Sequence, residues 1–130
     1  MRKKERLEEL KSLYVSVFVS IEQMIRVVRA RESFVLDGDL SEVNGKVRLL
    51  ASDVVAKNYY EVAEHLRKWS ELFELASPRR MKMGDETVSL IQAPDLTVKF
   101  KQPAVDAYEE LQDAIEKLIE AMRDEVRLDV

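Results

Sequence analysis

Apolar residues recur at alternating spacings of three and four in four separate stretches of this 130-residue chain. That period belongs to amphipathic helices, so it restricts the chain to a mainly helical fold. In the first stretch, about residues 3 to 34, Leu7, Leu10, Tyr14, Val17, Ile21, Met24 and Val28 form one seam. Its middle, "LYVSVFVSI", also alternates like a strand, and β-branched residues favour strands. The flanking "ERLEELK" and "EQMIRVVRARE" decide for helix. Val15, Phe18, Val19 and Ile25 lie off the seam, which leaves this helix apolar nearly all round at its centre. Such a helix must be covered on more than one side. It is expected either to sit centrally or to meet a second copy. Those four residues, with Leu72 further along, are the candidate protein interface.

The other three helices are read from seams and punctuation. "VLDGDLSE" breaks the pattern, and Asp39 with Glu42 three residues on reads as a capping-box start. A second helix is expected over about 40–57, with Leu40, Val43, Val47, Leu50 and Val54 on its seam, and Asn58 marks a turn. A third is expected over about 59–76, with Val62, Leu66, Trp69, Phe73 and Ala76 as its stripe and Pro78 closing it. The last opens at Pro103, a residue tolerated in a first helical turn, and carries Ala104, Tyr108, Leu111, Ile115, Leu118 and Met122. "KNYYEVAEHL" resembles the turn of a helical-repeat hairpin, but no second copy follows at a fixed period, which excludes a solenoid.

Residues 79–102 interrupt the helices. Gly84-Asp85 suits a two-residue hairpin turn, and Ala93-Pro94-Asp95 suits a short loop. Taken as the turns of a meander over about 80–101, they place Met83 opposite Glu86, Arg80 opposite Ser89, Val88 opposite Phe100 and Ser89 opposite Lys99. Side chains alternate faces along a strand. One face then collects Met81, Val88, Leu90, Val98 and Phe100, for packing on the helices. The other collects Arg80, Lys82, Lys99 and Lys101 around Thr87 and Ser89. With Arg79 these basic residues form a candidate nucleic-acid or anion site, since Lys and Arg neutralise phosphates. The competing reading is edge protection, because lysine on an edge strand guards against aggregation. No aromatic residue shares the polar face, so base stacking is missing.

Charge is divided unevenly. Residues 1–33 carry a net +3, 34–78 carry −3, 79–102 carry +2 and 103–130 carry −6. The total of −4 argues against a general nucleic-acid coat and leaves room for a local basic patch. Arg2, Lys3, Lys4 and Arg6 sit where the positive end of a helix dipole opposes them, so packing does not explain them. There is no cysteine, hence no disulfide framework or thiolate site. Two Asn and four Gln beside abundant Lys, Arg and Glu give a thermophile-like composition.

No motif names a reaction. His65 is the sole histidine, and with Glu61 and Glu64 it lacks the second Glu-x-x-His that a di-iron bundle requires. Asp106, Glu109, Glu110, Asp113 and Glu116 point several ways round one helix and read as a solvated face. The three glycines are too dispersed for a phosphate loop. Trp69, Leu72 and Phe73 read first as core packing. The apolar run near the N-terminus is about ten residues, half what a membrane span needs, so a cytoplasmic protein is expected.

The expectation is a single mainly α domain over 1–130, four-helix bundle-like, with a small antiparallel β insert at about 79–102. Its expected role is a non-catalytic assembly or adaptor subunit, a homo-oligomer or bound to a partner protein. A DNA- or RNA-binding accessory role is the alternative. Neither an enzyme nor a cofactor, metal or membrane partner is expected.

Overall fold

The computed structural model describes residues 3–30, 36–84, 86–90 and 95–128, with the side chains of 3–4, 36–41, 79–83, 87–90 and 128 outside that set. Among the described residues the chain is mainly helical, with four helices: α1 (Lys3–Ala30), α2 (Leu36–Leu50), α3 (Asp53–Ala76) and α4 (Val98–Leu128). Between α3 and α4, Arg79–Met83 (β1) pairs antiparallel with Glu86–Leu90 (β2), Arg80 opposite Ser89 and Met83 opposite Glu86. Gly84, in the turn between them, has φ 65°, a backbone region that costs glycine nothing.

The third strand expected of a meander is absent: Val98, Lys99, Phe100 and Lys101 are the first turn of α4. The cause lies just upstream. Asp95 Oδ1 accepts both the Thr97 amide at 3.0 Å and the Thr97 hydroxyl at 2.6 Å, folding the chain into a side-chain-closed turn. The Phe100 amide then donates to the Thr97 carbonyl at 3.0 Å, and the backbone is already helical. These two hydrogen bonds from Thr97 hold the Asp95 carboxyl below its ordinary pKa. Pro103 therefore lies inside α4, not at its start.

The boundary between α2 and α3 also falls elsewhere than expected. α2 begins at Leu36, ahead of the proposed Asp39 cap, and ends at Leu50. The break is at Ala51-Ser52, and α3 opens at Asp53, so Val54 belongs to α3 and is exposed. Ser52 supplies the reason. Its extended backbone interrupts the helix, and its hydroxyl oxygen accepts the Val55 amide at 3.3 Å, capping α3. Asn58, expected to mark a turn, is helical, and its side-chain amide donates to the Val54 carbonyl one turn back.

One core joins the four helices. α1 contributes Leu10, Tyr14, Val17, Ile21, Met24 and Val28, together with Leu13 and Ile25. α3 adds Val55, Tyr59, Val62, Leu66 and Trp69, and α4 adds Ala107, Leu111, Ala114, Ile115, Leu118 and Met122. α2 inserts Val47, which is fully buried. Trp69 meets Tyr108 while Ser52 meets Glu125, so α3 and α4 run antiparallel. Arg29 lies over Tyr108 while Tyr14 and Met122 line one groove, so α1 is antiparallel to α4 as well.

Candidate interaction surface

α1 is too apolar for one buried face, and the structure shows where the excess goes. Its core side chains occupy one side of the helix. On the far side Val15 is 63 % exposed, Phe18 40 % and Val19 46 %. At 3.6 residues per turn these three fall within a stripe about 100° wide. Glu8, Lys11, Glu22 and Arg26 fall in the same stripe, above and below them, as does Arg29, whose guanidinium is turned onto Tyr108. The stripe thus reads acid, base, apolar centre, acid, base along the helix.

The stripe borders a groove against α4. Tyr14, Val15 and Phe18 form one wall, and Ile119, Met122 and Val126 the other, around about 630 Å³. Lys11, Arg123 and Arg127 rim it, making the mouth basic around an apolar floor. Ile119 and Val126 are half-buried and stand off the α4 seam, which is the sequence signal that could have found this wall. A second apolar surface lies where α2 meets α3. Leu49, Leu50 and Val54 are exposed there, beside the end of α4 that Ser52 contacts.

Of the five expected interface residues, three occupy this surface: Val15, Phe18 and Val19. Ile25 is 6 % exposed and belongs to the core. Leu72 is half-buried and packs against that core, away from this surface.

The opposite end of α1 carries an aromatic cluster. Trp69 stands 5.5 Å from Phe73 and 5.1 Å from Tyr108, both tilted, and the Arg29 guanidinium lies 4.7 Å over the Tyr108 ring. A groove of about 560 Å³ opens beside them between Ala104, Val105 and Glu109. Trp69 itself is buried, as core packing requires.

The expected basic face does not form on a three-stranded sheet. Lys99 and Lys101 are exposed on α4, and the Lys99 ammonium lies 5.1 Å over the Phe100 ring. Neither stands on a strand beside β2, because both lie in the first turn of α4. The side chains of Arg79, Arg80 and Lys82, and the two-faced sorting of the hairpin, lie outside the described residues.

The acidic groups of α4 serve its surface. Asp106, Glu109, Glu110, Asp113 and Glu116 are all exposed. Glu110 Oε2 takes the Lys68 ammonium at 3.3 Å and lies 3.8 Å from His65 Nδ1, a small ion cluster linking α3 to α4. Among the described residues no group of three His, Asp or Glu is placed to hold a metal ion, and no helix is long and apolar enough to cross a membrane. No family model, curated protein or solved structure matches the chain.

Proposed function

We propose that the chain is a non-catalytic assembly subunit that binds another protein helix along the α1–α4 face. The observation that carries this reading is the continuity of the α1 stripe with the groove. Val15, Phe18, Ile119 and Val126 form one apolar surface that the chain's own helices leave open. A contiguous apolar patch with a polar rim is the usual mark of a protein interface. Because they are 40–63 % exposed, covering Phe18, Val15 and Val19 contributes about 0.6–2 kcal/mol each, before the costs of association. Their cost when exposed is borne in the free subunit, so a partner that covers them is favoured.

Cross-linking the tagged full-length protein in its own host, followed by mass spectrometry, tests the reading. Cross-links from Lys11 to another polypeptide, lost in Phe18→Glu while the circular dichroism of the variant is unchanged, support it. Cross-links to another polypeptide that avoid Lys11 and persist in Phe18→Glu overturn it.

A further inference from the structure

We infer that the occupant of this face is a second copy of the chain, docked α1 against α1 in antiparallel register. The inference rests on the assembly reading above and goes beyond it by naming the partner and the pairing. What points to a second copy is the order of charges in this stripe, where Glu8, Lys11 and Arg26 are exposed and Glu22 is half-buried. Reading up α1, the side chains are Glu8, Lys11, Val15, Phe18, Val19, Glu22 and Arg26. Turned end for end, that order becomes base, acid, apolar centre, base, acid. The four charges nearest the apolar centre then meet their opposites.

A two-fold axis passing between Val15 and Phe18 makes the register concrete. Val15 of one copy lies opposite Phe18 of the other, and Val19 opposite Tyr14. Lys11 lies opposite Glu22, and Glu8 falls next to Arg26. Because a two-fold interface is self-complementary, every such pair occurs twice. A parallel pairing of the same stripe would set Lys11 on Lys11 and Glu22 on Glu22, which repels. Lys11 and Glu8 also lie within 3.9 Å of each other on the same helix, a contact either partner leaves to join the interface.

Charge reversal tests the register, with sedimentation equilibrium on the full chain as the readout. Each reversal converts two attractive pairs to repulsions, so Lys11→Glu alone is expected to raise the dimer Kd about tenfold. Glu22→Lys alone does the same. The double variant restores the pairing in trans and returns the Kd to within about threefold of the parent. If the double variant is as weak as the sum of the singles, the register is wrong.

A spin label supplies a second readout. Glu9 is exposed and off the stripe, and the chain has no cysteine, so Glu9→Cys carries a single label. Antiparallel docking sets the two labels apart along the axis by about 22 Å, whereas parallel docking leaves them level. A label separation below that offset overturns the antiparallel dimer. A chain that stays monomeric while Lys11 cross-links to a different polypeptide overturns the second copy and leaves the assembly reading standing.

Discussion

The Ser52 hydroxyl meets the Glu125 carboxylate at 2.5 Å, tying the break between α2 and α3 to the last turns of α4. The same oxygen accepts the Val55 amide, so one side chain both ends a helix and fixes where its successor docks. This relationship aligns the full length of the α3–α4 pair, with the Trp69–Tyr108 contact at its other end.

Ser52→Ala removes the cap and the bond to Glu125 together. The expected loss is about 1–2 kcal/mol of unfolding free energy by urea titration, with Ser52→Asp also destabilising because it sets a carboxylate against Glu125. Ser52→Thr, which keeps the hydroxyl, is expected to recover most of the loss.

Tyr59 couples stability to alkaline pH. Its ring is buried and its hydroxyl donates to Asn44 Oδ1 at 2.5 Å. Burial first, and the neighbouring Tyr60 second, push its pKa from about 10 up to about 12. The folded chain holds that proton in a range where the unfolded chain has released it. Stability from this group is therefore complete below about pH 10 and falls as pH rises from about 10 to about 12. Phenolate absorbance of the folded protein should show a late step that Tyr59→Phe abolishes.

Trp69 holds the α3–α4 pair at its upper end. Trp69→Ala is expected to cost about 3–5 kcal/mol, the range for large-to-small changes of a buried aromatic. Arg29→Gln, which loses only the cation over Tyr108, should cost about 0.5–1 kcal/mol. Since Trp69 is the sole tryptophan, its fluorescence in the Arg29 variant reports the same site directly.

Pro103 lies inside α4, where proline has no amide to give to the helix ladder. Pro103→Ala is expected to raise stability, by up to about 3 kcal/mol, and to increase helicity by circular dichroism. A loss of stability would show that proline is required at this point.

Much of this architecture is legible in the sequence because helix seams are periodic and long. The α1, α3 and α4 seams are the buried faces, and Trp69 is core as its spacing implied. What the spacing does not encode is the competition between local hydrogen bonds. Val54 continues the α2 seam in period, yet Ser52 breaks the helix two residues before it. Val98 and Phe100 alternate like a strand, yet Asp95 closes a turn that delivers them to α4. The exposed stripe was foreshadowed by the surplus of apolar residues on α1. Its α4 wall was not, although Ile119 and Val126 stand off the α4 seam, because their spacing does not say which helix packs beside them.

The decisive measurement is sedimentation equilibrium of the parent chain and Phe18→Glu over a concentration series reaching about 100 µM, a range that captures micromolar association. The expected result is a reversible rise of the parent from its 15.1 kDa monomer mass to twice that value, with Phe18→Glu held at the monomer. A parent that stays at 15.1 kDa throughout, or a Phe18→Glu variant that dimerises equally well, contradicts self-association through this face.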